Sequence, residues 1–398
     1  MIRHLCRLAW NRKRGYFLLG LEMLISFLII VVIVTMALNY LTVFYQPLGF
    51  GYRDVWWVEL RPKNLAGGFP QRSAANVVTV REVMRIIEGF EEVEVVALCP
   101  PPFSSSGGSQ DGEYDGVRDN FRYCRVTDRL DKVLKLNLVA GRWFGEEDDA
   151  LAWEPVVVTR KLARTFFGDG DPLGKTIAAS ELALRVVGVV DHYRYEGPLA
   201  HEELFLYRRL RWDRGASEQS LPTSFLIRLQ PGTPRSFEKR MRKALLPVAR
   251  SWNLEVETLE SRRGRSLGER IKFLRLGGRI AGFMLAMVGL GLVGVLWQNV
   301  TQRTREIGVR RASGATRGQV CAQFVGEVMV VATFAAVLGG MLIVQFAFFD
   351  LFPSVAPEVY TAGLLCAAGI LYLLVSVAAL YPGWLASRVQ PVEALHYE

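Results

Sequence analysis

The chain has 398 residues, 51% of them apolar and 22% charged, with a net charge of +9 and a mean hydropathy of +0.19. It is too apolar for an ordinary soluble protein unless charge and apolarity are segregated along it. The basic residues flank apolar runs instead of covering one folded domain, which argues for membrane topology and against a nucleic-acid partner.

Residues 1–15 place Ile2, Leu5, Leu8 and Ala9 on one side of a helix and Arg3, Arg7, Arg12 and Lys13 mostly on the other. This pattern predicts a short amphipathic helix on the inner leaflet. A first transmembrane helix follows over 17–45, with the uncharged run Met23 to Tyr45 at its centre. It is too long for a secretory h-region and has no small-residue cleavage site after it, so it reads as an uncleaved anchor.

Residues 46–260 form an extracytoplasmic α+β domain. Strand patterns occur at Val55–Leu60, Val93–Leu98, Phe121–Thr127, Pro155–Thr159, Leu182–Val190, Phe225–Leu229 and Glu255–Leu259. Helical patterns occur at Thr79–Phe90, Arg160–Phe167 and Ser236–Trp252. Pro100–Gly116, rich in Pro, Ser, Gly and Asp, reads as a surface loop. Good helix formers without proline over 261–279 predict a stalk helix running into a second span, 280–302. A polar segment, 303–319, precedes the third span, 320–349; a short outer loop, 350–358, leads to the fourth span, 359–385, and a tail, 386–398. Each apolar run reaches the roughly 20 residues needed to cross about 30 Å of hydrocarbon. The expected fold is therefore an integral membrane protein of four transmembrane helices, with a large α+β domain between the first and second.

Basic residues before the first span, between the second and third, and after the fourth place both termini and the 303–319 loop in the cytoplasm. Arg262, Arg263, Arg265, Arg270, Lys272, Arg275 and Arg279 conflict with this, because they precede the second span on the outer side. Long translocated domains cross largely regardless of charge, so the assignment stands. On the second span Gly278, Gly282, Ala286 and Gly289 supply small residues that let helices approach closely in lipid. Glu22 and Glu327, near cytoplasmic ends, read as snorkelling or interhelical partners.

The chain offers little catalytic chemistry. DGDPLGKT, Asp169–Thr176, imitates a phosphate-binding loop but has Asp169 where the motif needs glycine. His4, His192, His201 and His396 lack metal-ligand spacing, and neither a serine elbow nor Cys-x-x-Cys occurs. Cys99 and Cys124, the two cysteines of the outer domain, can either form a disulfide in an oxidising compartment or remain two separate buried thiols. No catalytic, cofactor or metal site is expected.

The segment TREIGVRRASGAT, Thr304–Thr316, resembles the signature loop of the FtsX-like permease family, and the tail PGWLASRVQPVEALHYE, Pro382–Glu398, resembles that family's ending. GRWF at Gly141, VVV at Val156, ARTFFGDGDPLGK from Ala163 to Lys175 and VVGVV at Val186 resemble the extracytoplasmic domain of its MacB branch. Ser313 departs from the usual bulkier apolar residue and His396 from the usual arginine. The resemblance implies the permease subunit of a mechanotransmission-type ABC transporter in a bacterial inner membrane. It would be a homodimer or a heterodimer with a paralogue, resting on a separate cytoplasmic ATPase that binds ATP and magnesium, with membrane lipid and a periplasmic adaptor as further partners. Arg303, Arg305, Glu306, Ile307, Gly308, Val309, Arg310, Arg311, Gly314 and Ala315 would form the surface that docks on the ATPase. A peptide-sensing receptor and a regulator of a cell-wall hydrolase are the competing readings on the same architecture.

Overall fold

The computed structural model describes residues 13–63, 73–104, 107–151, 153–179, 182–210, 222–301, 309, 313–348 and 355–388. The expected inner-leaflet helix at 1–15 falls almost entirely outside these residues, as does most of the C-terminal tail. In chain order the elements are α1 (Lys13–Tyr45), β1 (Val55–Pro62), α2 (Ala74–Glu88), β2 (Val93–Leu98), β3 (Gly108–Tyr114), β4 (Val117–Val126), α3 (Leu130–Leu134), β5 (Leu138–Gly141), β6 (Glu154–Thr159) and α4 (Arg160–Phe167). They continue with β7 (Thr176–Ala179), β8 (Leu182–Val190), β9 (Phe205–Arg209), β10 (Ser224–Leu229), α5 (Phe237–Leu245), β11 (Trp252–Thr258), α6 (Leu259–Thr301), α7 (Arg317–Phe348) and α8 (Pro357–Arg388). Two compact units result: Val43–Ile271, and the two flanking segments Met1–Thr42 and Lys272–Glu398.

The Val43–Ile271 unit contains two sheets. The first is a four-stranded antiparallel sheet in the order β11-β1-β10-β2. Alternation along β1 divides its side chains between two cores: Trp56, Val58 and Leu60 face one side, Val55 and Trp57 the other. On the first side lie α2 and α5, through Val80, Val83 and Ile87 of α2 and Phe237, Met241 and Leu245 of α5, all fully buried. Those spacings put one apolar stripe of each helix against the sheet. Ser73 begins α2 by accepting from Asn76 N at 3.2 Å, and Gly89 closes it by donating to the Arg85 and Ile86 carbonyls.

The second sheet runs β5-β8-β6-β9-β4-β3-β7, and an added β7–β8 pairing closes it into a ring. β4 is parallel to β9 and β6 to β8, so the sheet is mixed. Thr159 caps α4 by accepting from Leu162 N; Leu162, Ala163, Phe166 and Phe167 then bury against Phe121, Val156, Ile177 and Leu206.

Several elements differ from the sequence expectation. Gly108–Tyr114 is a strand, paired along its whole length with β4 through the two-residue turn Asp115-Gly116, both at positive φ. That Asp-Gly pair is a hairpin signal, outweighed in the sequence by the polar composition around it. Strands β5, β7 and β9 also lack the expected pattern. β9 reads FLYRR, yet all five residues are buried, because Arg208 and Arg209 carry their own carboxylate partners. The helix expected over Ser236–Trp252 ends at Leu245, and Trp252 instead opens β11, the edge strand paired with β1.

Among the described residues, four helices are long and apolar enough to cross a membrane: Leu19–Tyr45, Leu259–Gln298, Gly318–Gln345 and Pro357–Ala379. Their shared core includes Met23, Phe27 and Ile30 of α1, Leu292 and Leu296 of α6, Val328 and Ala332 of α7 and Leu371 and Val375 of α8. Glycines make the close approaches. A methyl group on Gly291 would overlap the Glu22 carboxylate, one on Gly339 the Phe27 ring, and one on Gly363 the Thr35 hydroxyl. Gly278, Gly282 and Ala286 do not take part in this packing: they are exposed, with nothing within 4 Å of a Cβ added at Gly278 or Gly282. Gly289 alone of that set meets another span, 3.9 Å from Leu374 Cδ1. Spacing defined a small-residue stripe but not the direction it faces. Glu327 is buried and accepts from Gln323 Nε2, one turn earlier on the same helix, at 3.3 Å.

Candidate coupling elements

Two cationic segments flank the second span: the loop after it, and the point where α6 leaves the outer domain. Of the loop, Arg303, Arg305, Glu306, Ile307, Gly308, Arg310 and Arg311 lie outside the described residues. Val309 is helical and half exposed. Its carbonyl accepts from both the backbone N–H and the hydroxyl of Ser313, each at 2.9 Å. Gly314, at φ +95°, then turns the chain. Thr316 and Gln319 cap α7 reciprocally: the Thr316 hydroxyl accepts from Gln319 N, and the Gln319 side chain accepts from Thr316 N at 2.9 Å. Ala315 packs against the membrane core. The loop is thus held at its C-terminal end by a turn, a cap and an apolar contact.

The second place was not legible in the sequence. Before α6 becomes apolar, its arginines fold back on the outer domain. The Arg262 guanidinium lies 4.1 Å above the Trp57 ring and Arg263 lies 4.9 Å from the Tyr52 ring. Glu257, almost fully buried on β11, faces Arg265 at 2.9 Å and Arg262 at 3.5 Å. Arg270 Nη2 donates to Glu196 at 2.8 Å, and Glu196 also accepts from Arg122 of β4 at 3.0 Å. Burial pulls the Arg262 pKa below its ordinary value, with Glu257 opposing that shift. Four of the seven basic residues that conflict with the topology rule therefore find partners on the folded outer domain, Arg262, Arg265 and Arg270 with carboxylates and Arg263 with an aromatic ring. A cavity of about 340 Å³ opens beside them, lined by Phe103, Ser104 and Glu196 and by Arg262, Arg265 and Arg270.

The chain leaving α1 is fixed by another arginine. Arg194 is buried and donates to the carbonyls of Gln46, Pro198 and Ala200 at 2.6–3.1 Å, and its backbone N–H donates to Leu48 O. Gly49, at φ +82°, lies so close to the His192 carbonyl that any Cβ would overlap it. Arg228, also buried, donates to Val133 O at 2.7 Å and reaches Arg53 O and Gly51 O at 3.3 Å. Buried guanidiniums with only carbonyl partners give no sequence pattern, so both clamps escape a reading of the chain alone.

The remaining sites have structural roles. Lys175 of the phosphate-loop imitation lies over the Tyr114 and Phe167 rings at 5.6 and 5.2 Å, which occupies the charge a phosphate would need. Cys99 and Cys124 are free, buried thiols in mutual contact, and burial raises the Cys99 pKa well above its usual value.

Comparison with known proteins agrees with this architecture. The MacB-like periplasmic core domain matches residues 22–244, more than half of the chain, and the FtsX-like permease C-terminal region matches 279–391. The macrolide export ATP-binding/permease protein MacB of Bdellovibrio bacteriovorus is 25% identical over 354 residues, covering 85% of this chain and 53% of that protein. The chain thus spans about half the length of that relative. The uncharacterized ABC transporter permease YknZ of Bacillus subtilis is 23% identical over 344 residues, covering 83% of this chain and 81% of that one. The crystallised periplasmic region of MacB from Actinobacillus actinomycetemcomitans superposes with a TM-score of 0.41 at 14% identity, over 58% of this chain and 98% of that region. On the matches to both halves, this chain belongs to the FtsX-like, MacB-type family of ABC transporter permeases, a four-helix membrane protein with an extracytoplasmic α+β domain.

Proposed function

We propose that the chain is a mechanotransmission permease: it converts ATP hydrolysis on a separate cytoplasmic ATPase, which binds ATP and magnesium, into rearrangement of its outer domain for export or extraction of a substrate. Both termini and the Thr301–Val320 loop lie in the cytoplasm, and two copies, or this chain and a paralogue, share the ATPase pair. The loop from Arg303 to Ala315 docks on the ATPase through the charges of Glu306 and the arginines and the apolar groups of Ile307 and Val309. A periplasmic adaptor completes the assembly where the work is efflux.

The observation that carries this reading is the unbroken helix α6, Leu259–Thr301. One end of it is clamped to the outer domain through Trp57, Glu257 and Glu196, and the other ends at the arginine-rich loop. Forty-three residues at 1.5 Å each give about 64 Å, roughly twice a hydrocarbon span. A continuous helix of that length runs in the chain from the outer domain through the second span, and on this reading it carries displacement across the membrane without a channel. The test is reversal of loop charge. Glu306→Lys and Arg310→Glu should leave the permease inserted and folded but abolish its stimulation of the partner's ATP hydrolysis. Unchanged stimulation and co-purification would show that the loop is not the docking surface.

A further inference from the structure

The stalk arginines up to Arg270 find partners on the outer domain; the next three cations of α6 do not. Lys272, Arg275 and Arg279 are all exposed and form no ion pair among the described residues. Spaced three and four apart, they fall on one face of the helix. Exposed apolar side chains begin among these cations, with Leu276 at 56%, and continue after them with Ile280 at 55%, Phe283 at 67% and Leu290 at 69%. The change from exposed cation to exposed hydrocarbon therefore occurs within about one helical turn, roughly 6 Å.

We infer that Lys272, Arg275 and Arg279 form a binding face for the phosphate groups of anionic phospholipids in the outer leaflet. The extracytoplasmic domain precedes them and the second span follows, so they stand at headgroup depth on that side of the membrane. Like charges on one face disfavour its pairing with the same face of a second copy, and they match a row of lipid phosphates. Lysine and arginine stems can also lie along the acyl chains while their heads reach the phosphates. A cationic face here has a positional use. Anchoring at this depth fixes a pivot for α6, so that a tilt imposed at its cytoplasmic end is returned as lateral displacement at the outer domain. That use rests on the function proposed above, but the binding face itself does not.

The test uses the full chain in nanodiscs of phosphatidylcholine containing a minority of phosphatidylglycerol, with spin-labelled lipids to measure the preference for the anionic headgroup. Each cation near an anionic surface contributes roughly a fivefold preference. Replacing all three residues by glutamine should therefore reduce the selectivity of the associated lipid by one to two orders of magnitude, and single replacements should reduce it stepwise. Lys272→Arg combined with Arg275→Lys and Arg279→Lys should retain it. Unchanged selectivity in the glutamine variants would overturn the inference. So would displacement of the anionic lipid by millimolar inorganic phosphate, which would mean that the face binds the free ion. Loss of self-association in place of lipid selectivity would assign the face to a chain–chain interface and also overturn it. No ATPase takes part in the measurement, so failure here leaves the coupling proposal standing, and failure of coupling leaves this inference standing.

Discussion

Replacing Arg262 by methionine tests the clamp between α6 and the outer domain. The change keeps most of the aliphatic volume over Trp57 but removes the cation. A guanidinium 4.1 Å from an indole ring that is itself buried contributes about 1 kcal/mol. Glu257, whose side chain is 7% exposed, keeps only Arg265 at 2.9 Å, and that partner is 60% exposed and shielded by solvent. Leaving a buried carboxylate poorly compensated adds about 1–2 kcal/mol. The sum, about 2.5 kcal/mol, corresponds to roughly a sixtyfold loss of protection for amides that exchange by local opening. Hydrogen exchange of the full chain in detergent, read by mass spectrometry over peptides covering Leu259–Ile271, measures this directly. The β6–β8 and β3–β4 pairs serve as internal references. Adding Glu257→Gln to the variant should recover part of the loss, since a neutral amide needs no counter-charge, with a coupling of about 1 kcal/mol. Less than about a threefold change in the α6 peptides, or an equal loss over the whole domain, would refute the local clamp.

Two further outcomes follow from the same domain. Gly49→Ala forces a side chain into a positive-φ position against the His192 carbonyl and should destabilise the outer domain by about 3 kcal/mol or more in thermal unfolding. Gly232→Ala, at similar φ but with open space around it, should cost only about 1 kcal/mol. Asp148 accepts from both terminal nitrogens of Arg142 at 2.8 and 2.6 Å and from Gly145 N at 3.0 Å, and the Arg142 hydrogen bonds hold its carboxyl below the usual aspartate range. Its contribution is therefore complete above the unfolded aspartate pKa near 4 and is lost as pH falls through the lower folded value. Asp148→Asn should lower the melting temperature at neutral pH, and the difference from the unmodified chain should shrink in acid; a constant gap down to about pH 3 would exclude the ionised pair as its source.

Hydropathy alone determined the four apolar helices and the large polar insertion after the first. Four apolar runs of spanning length separated by charged segments read directly as membrane helices, because burying charge in hydrocarbon is costly. The strands Val93–Leu98 and Leu182–Val190 and the helix Arg160–Phe167 were equally legible, since their apolar residues repeat with the period of the element they form. Tertiary structure decided what periodicity does not encode. FLYRR becomes a buried strand because Glu154 and Asp128 arrive from distant segments to pair Arg208 and Arg209. Within the chain, helices meet at Gly291, Gly339 and Gly363, while the regularly spaced Gly278 and Gly282 face away from its other helices. The first four arginines of α6 looked like a violation of membrane topology until Glu196, Trp57 and Tyr52 from distant segments, and Glu257 from the end of the preceding strand, came within reach. A sequence fixes the sign of a charge and its order in the chain. Only the fold brings the partner that compensates it.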